Sequence, residues 1–507
     1  MSGYLAISLY FVLLGWLGYR ASRKTEGVAD FFTGGRQLGY FVTALSTQAT
    51  GESAWLLLGL TGLGAIAGLS AFWVVVGELI GVSIAWFVMA EPFRREIDQS
   101  RALTTTDYFL HRFPSLHKMI RYTSVVCLTI FCTLYAAAEI DATGALLEHS
   151  LNWNYAVGAI VGFLVVTLYS SAGGFLAVAW TDCIQGSMML VALLLVPVAA
   201  AFFWPWEQGL FTVLADIDPA LLTVIGPDEG WLRYFEILGL FTIGLGFLGT
   251  PHIFSRFIAI RDSGEIRCGR WVALIYTLLT DSAAVFIGMI GRCFYTSADV
   301  NPETVLGNGG QNVLTMLTQS FFPQVVVGFY VAAILAAIMS TFSSLLMQAT
   351  SAVTCDALLY GQESLLTSNK NTTYSRKITW GLATVALLLA LAVAKLLPGH
   401  TVFWFAVFGM SGITATFSPA MILGLFWSGY SSVGALVSMI TGATMILVGK
   451  LWLQQLDAVG PYFQAMESLP LAFLLSMMAG WGASLLWPDI KRNSSPERKK
   501  TLFVTHR

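Results

Sequence analysis

Charge is scarce in this chain. Lys, Arg, Asp and Glu together make up 11% of its 507 residues, roughly half the share usual in a soluble domain. With so little charge and 56% hydrophobic residues, it could not cover a water-facing surface with polar groups. A string of soluble domains is therefore excluded, and lipid must be the solvent. A net charge of −2 supplies no basic field for nucleic acid. The six cysteines, Cys127, Cys132, Cys183, Cys268, Cys293 and Cys355, form no CxxC pair and have no histidine at metal-ligand spacing. They read as small apolar packing residues. Long polar segments are missing too: 92–118, 204–231, 293–310 and 351–377 are too short to fold alone. That argues against a receptor or a membrane-anchored enzyme, and no nucleophile motif, metal cluster or phosphate loop stands out. Nothing calls for an obligate protein partner.

What is abundant is apolar runs. A spanning helix needs about 20 mostly apolar residues, and candidates fall at 4–19, 40–63, 69–91, 119–147, 154–171, 178–203, 232–250, 271–292, 323–350, 378–397, 401–427, 431–452 and 464–487. The expectation is an all-α membrane protein of about thirteen spans, with 311–322 as an outer helix leading into the ninth. The first run has Arg20, Arg23 and Lys24 directly after it, with no basic segment before it and no small-residue cleavage site, so it reads as a retained span. The 48 glycines and 16 tryptophans suit close helix contact and headgroup-level anchoring. With the N-terminus outside, all but four of the 27 Lys and Arg residues fall on the inner side; the four are Arg233, Arg292, Lys395 and Lys450. This is the positive-inside pattern. It predicts a multi-pass plasma-membrane protein with one transport domain over 1–488 and a basic cytoplasmic tail over 489–507.

Two spans carry the marks of a broken helix. In the second, Ala44 to Trp55 contains Ser46, Thr47, Gln48, Thr50, Glu52 and Ser53 around Gly51. Polar groups at that depth must face protein or a water-filled cavity. In the seventh, Gly244, Gly246, Gly249 and Pro251 crowd a short stretch. Unwound helices in two halves of a chain mark transporter binding sites, although tight packing through small residues also accounts for such glycines. The ninth span holds Ser340, Thr341, Ser343 and Ser344. Their hydroxyls either bond back one turn or offer hard oxygen ligands to a small cation.

The sequence Gly34-Gly35-Arg36-Gln37-Leu38-Gly39, with Val42-Thr43-Ala44-Leu45-Ser46 and Trp55 to Leu60 after it, resembles the sodium:solute symporter family. So do Gly173 to Gln185, Gly249 to Ile253 and Ala333 to Thr341. Within the family the chain looks most like the sodium/proline symporters. The resemblance runs from the first span to about residue 430. It implies a leucine-transporter-like fold of five plus five inverted helices, one helix before and two after, with repeats at about 38–203 and 231–427. It also implies sodium bound by the carbonyls of Ala49, Glu52 and Ala337 and the hydroxyls of Ser340 and Thr341. Asp182 matches an aspartate implicated in a second cation site. The implied solute site comprises Ser53, Ala54, Tyr135, Ile243, Phe247 and Pro251. Amides near Ser53 would hold a carboxylate at a positive helix end, with apolar atoms against Tyr135, Ile243 and Phe247.

The chain also departs from that pattern. The sodium/proline symporters carry an aspartate where Gly51 stands, and here the acid is Glu52. Ile243 and Phe247 replace an expected tryptophan and tyrosine. Glu139 lies one turn from Tyr135, and Glu78, Asp141 and Asp281 are further acids in apolar spans. A charge at mid-bilayer costs about 2.5–3.5 kcal/mol on insertion scales, so each needs a partner or a proton. The reading is a sodium-coupled importer of a small organic solute, proline or a related amino acid. Its rivals are proton coupling through Glu52 or Glu139, and a transporter-like sensor.

Overall fold

The computed structural model describes residues 2–203, 208–226, 230–362, 369–396 and 402–489, and these are all-helical apart from loops and one backbone bridge. The tail at 490–507 lies outside the described residues. The first half contains α1 (Ser2–Ser22), α2 (Gly27–Thr33), α3 (Tyr40–Ala54), α4 (Thr61–Ala67), α5 (Phe72–Ser83), α6 (Ala90–Ser100), α7 (Thr105–Arg112), α8 (His117–Leu151) and α9 (Tyr155–Phe203). After α10 (Leu210–Ile217) come α11 (Trp231–Thr242), α12 (Pro251–Ala259), α13 (Ser263–Tyr295), α14 (Pro302–Leu306), α15 (Val313–Phe321) and α16 (Gln324–Ser351). The chain ends with α17 (Asn369–Leu396), α18 (Val402–Phe426), α19 (Ser432–Leu451), α20 (Gly460–Met466) and α21 (Leu469–Leu486).

Among the described residues, 11 continuous helical stretches are long and apolar enough to cross a membrane. Thirteen were expected, and the difference lies at two junctions. Residues 40–63 and 69–91 run together in a 61-residue stretch, Tyr40–Ser100, and 154–171 and 178–203 join in the 49-residue α9. At about 1.5 Å per residue these would reach about 90 and 74 Å, far beyond a bilayer core of about 30 Å. Neither is straight. Gly68 (φ 58°, ψ −133°) and Gly174 (φ 62°, ψ −151°) both leave helical geometry. A Cβ at Gly68 would sit 2.2 Å from the Leu221 carbonyl oxygen, and one at Gly174 2.5 Å from that of Phe31. Glycine is required at both points by conformation and by space.

The lipid-facing surface follows from helical spacing. Leu5, Leu9 and Val12 on α1 and Val126 and Ile130 on α8 recur every three or four residues and are exposed, forming apolar stripes that water would not tolerate but lipid does. Inside, α16 is buried without interruption from Tyr330 to Ser351 and packs against α1, α3, α8 and α9. A helix enclosed on every side is the axis of the fold, and its hydroxyl cluster lies at that axis.

Both predicted breaks are present. Ser53, near the end of α3, has φ 39° and ψ −164°, and the chain continues through a π-helical turn at Trp55–Leu60. After α11 the backbone tightens into a 3-10 turn at Ile243–Phe247. It then leaves helical geometry at Leu248 (φ −88°, ψ 80°) and Gly249 (φ 84°), and restarts as α12 with Pro251 in the first turn. Proline suits that position because its missing N–H would be unpaired there anyway. The segment entering α3 and the one leaving α12 are tied together: Leu38 donates to the Ala259 carbonyl at 3.1 Å, and the Arg261 N–H donates back to Leu38 at 2.9 Å.

Candidate functional site

The polar side of α16 faces the first break. Ser340 Oγ lies 2.8 Å from the carbonyl oxygen of Ala49 and 2.8 Å from that of Ala337. A hydroxyl has one proton, so it cannot donate fully to both. Beside it, Thr341 Oγ1 donates to the Thr50 carbonyl at 3.0 Å. Four of the five expected sodium ligands, Ala49, Ala337, Ser340 and Thr341, thus face one another across α3 and α16. Thr50, which sequence reasoning did not include, joins them. The fifth, the Glu52 carbonyl, accepts the Trp55 N–H, while the Glu52 side chain enters a separate cluster.

Asp182 has a partner that the charge pattern concealed. Arg256, read from sequence as an inner-face residue, is buried and places its Nη2 2.9 Å from Asp182 Oδ2. The same guanidinium donates to Ser46 Oγ (3.1 Å), to Thr50 Oγ1 (2.8 Å) and to Ser344 Oγ and the His252 carbonyl, and it stacks over the Phe175 ring. Ser46 also donates to Asp182 at 2.7 Å. One fully desolvated ion pair therefore joins α3, α9, α12 and α16. No neighbouring motif signals this pairing, because the two residues are 74 positions apart.

The acids of the spans sort into three environments. Asp141 accepts a 2.6 Å hydrogen bond from the Tyr155 hydroxyl, which gives it a partner. Glu139 lies against Ser53, as does Tyr135 one turn away, which puts an acid beside the first break. Glu52, Glu78 and Asp281, read separately from sequence, come together with ligand oxygens all within 4.8 Å of one another.

A small pocket of about 20 Å³ is lined by Trp55, Tyr135, Ile243, Ala406, Val407 and Met410. Of the expected solute residues it gathers Tyr135 and Ile243 with the break at Ser53 nearby. Ala54, Phe247 and Pro251 do not line it. The Phe247 ring instead fills the space beside Gly51, where a Cβ would lie 2.5 Å from the ring edge. With the Phe247 ring in this place, a side chain at position 51 would have to displace it. Ala406, Val407 and Met410 come from α18, and as apolar residues in an apolar span they carry no sequence signal.

The profile of the sodium:solute symporter family matches residues 31–442. The chain belongs to that family. As a family member it is a multi-pass membrane transporter that couples a small organic solute to sodium, and not an enzyme. A sodium/proline symporter of Staphylococcus aureus is 31% identical over 490 residues, covering 95% of this chain and 92% of the relative. Sodium/proline symporter 2 of Staphylococcus saprophyticus is 31% identical over 512 residues, covering 99% of this chain and 94% of the relative. In fold, this symporter is similar to a Na+-coupled sialic acid symporter solved in a substrate-bound outward-open state. The TM-score is 0.76 at 17% identity, covering 96% of this chain and 98% of that one.

Proposed function

We propose that this symporter imports proline or a related amino acid, with sodium held between α3 and α16. The observation that carries the reading is Ser340, whose single hydroxyl proton faces two carbonyl oxygens at 2.8 Å each. A sodium ion suits such a group of neutral oxygens at a broken helix. The ion is shared by the carbonyls of Ala49, Ala337 and Glu52 and the hydroxyls of Ser340 and Thr341. The Staphylococcus relatives motivate the choice of proline.

In this reading the solute lies in the Trp55–Tyr135–Ile243 pocket. Its carboxylate meets the amides after Ser53, where the helix restarts and Ser53 Oγ accepts the Trp55 N–H at 3.3 Å; that end carries the positive dipole. Its ammonium group faces Glu139 across Ser53. Asp182 takes a second cation only when Arg256 moves away from it. The chain crosses thirteen times, turning at Gly68 and Gly174, as two inverted five-helix repeats (about 38–203 and 231–427) with one helix before and two after. The N-terminus is outside and the C-terminus inside, in keeping with the charge asymmetry.

The test is uptake of labelled L-proline by proteoliposomes under an inward sodium gradient. Uptake should fall at least tenfold without sodium and in Thr341→Ala, with the variant still monodisperse. Equal uptake in both cases refutes the sodium site. If an imposed pH gradient drives uptake without sodium, and Glu139→Gln or Glu52→Gln removes that drive, the coupling ion is a proton.

A further inference from the structure

Glu52, Glu78 and Asp281 reach one point from three helices: α3 just before its break, α5, and α13. All three are buried, at 0%, 1% and 0% exposure. Among the described residues none pairs with a lysine, arginine or histidine. Among the described residues, no donor from outside the group faces either carboxylate oxygen of Glu52, Glu78 Oε2 or Asp281 Oδ2. Thr280 donates to Asp281 Oδ1 at 3.2 Å, and Asp281 lies within hydrogen-bonding reach of the carboxyls of Glu52 and Glu78. Three buried acids without a counter-charge are costly as carboxylates, so they must either share protons or enclose something positive.

A second observation points to what that is. Gln48 lies one turn before Glu52 on α3, and its Nε2 is bound to Thr277, one turn before Asp281 on α13. The amide is fully buried, yet its Oε1 has no partner among the described residues. One turn from the acids on each helix, the seam between α3 and α13 therefore holds a buried amide oxygen with no donor among the described residues. Oxygens that ligate one small hard cation at about 2.4 Å lie no more than about 4.8 Å apart, and these carboxylates meet that limit.

We infer that Glu52, Glu78 and Asp281 form an additional cation site for sodium, separate both from the neutral oxygens at Ser340 and Thr341 and from Asp182. Its position makes it a coupling site. Glu52 is adjacent to Ser53, where α3 breaks. Glu78 lies between Gly77 and Gly81, which press against the second break so closely that a Cβ on either would lie 2.0 Å from the carbonyl oxygen of Phe241 or Gly244. A cation drawing the three carboxylates together joins both breaks, and its departure leaves acids that must take up protons or move apart.

The inference rests on the sodium-coupled reading but not on the Ser340–Thr341 site, and equilibrium binding of radioactive sodium to the purified full-length protein separates the two. Thr341→Ala should retain one sodium per protein, and combining it with Glu78→Gln or Asp281→Asn should weaken that remaining binding at least tenfold. Those two carboxamide variants should keep the Thr341-dependent sodium. Thr341→Ala protein that binds no sodium overturns the inference without requiring any acid variant to fold. So does wild-type stoichiometry and affinity in folded Glu78→Gln and Asp281→Asn. If instead Thr341→Ala changes nothing while the acid variants each lose one sodium, the acid site stands and the proposed Ser340–Thr341 site fails.

Discussion

Replacing Arg256 with methionine would leave Asp182 as a lone buried charge. In the native protein the guanidinium is 2.9 Å from the carboxylate and also serves Thr50 and Ser46, at 2.8 and 3.1 Å. Removing one member of a buried pair costs about 3–5 kcal/mol, whereas replacing both with uncharged groups of similar size is often near neutral. Arg256→Met and Asp182→Asn should therefore each destabilise by about 3 kcal/mol or more. The double variant should recover much of that, with a coupling energy of about 2 kcal/mol. The assay is unfolding in increasing SDS, followed by tryptophan fluorescence, in sodium-free choline buffer. Omitting sodium matters because Asp182 without its arginine becomes free to bind a cation. Adding sodium should then stabilise Arg256→Met more than wild type, which also tests the proposed second role of Asp182. Single-variant costs below about 1 kcal/mol, or costs that simply add, would refute the assignment of this pair as the joint of α3, α9, α12 and α16.

Gly51→Ala should destabilise by about 1–3 kcal/mol, because its Cβ would lie 2.5 Å from the Phe247 ring; Phe247→Ala in the same chain should relieve the loss. Gly174→Ala combines a positive φ with a Cβ 2.5 Å from the Phe31 carbonyl oxygen. It should cost about 1–3 kcal/mol from the backbone conformation alone, read as a lower unfolding temperature. Ala406→Phe should fill the proposed solute pocket and raise the KM for proline at least tenfold while leaving sodium binding intact; an unchanged KM places the solute elsewhere.

Some of this architecture was legible because lipid imposes a one-dimensional rule. A span must be a run of apolar residues, and polar residues within it must be inside the protein, so the low charge, the spans and both breaks could be read along the chain. The proposed ion ligands Ala49, Ala337, Ser340 and Thr341 could be named because the family resemblance supplied their positions. The span junctions were harder. Hydropathy marks 40–63 and 69–91 as separate, yet the helix runs on around Gly68, since a single glycine turns the chain without a polar loop.

Charge pairing was decided only in three dimensions. Arg256 follows the positive-inside pattern in the sequence, and nothing in its neighbours shows that it turns inward to Asp182. Glu52, Glu78 and Asp281 look like three unrelated costs until α3, α5 and α13 converge. The pocket wall from α18 is likewise invisible, because an alanine facing a solute and one facing lipid read alike. The sequence by itself determined that the chain lives in a membrane and where its helices give way, because solvent and backbone geometry act locally. Which oxygens, charges and apolar walls meet was left to tertiary packing, because those distances join residues from separate helices.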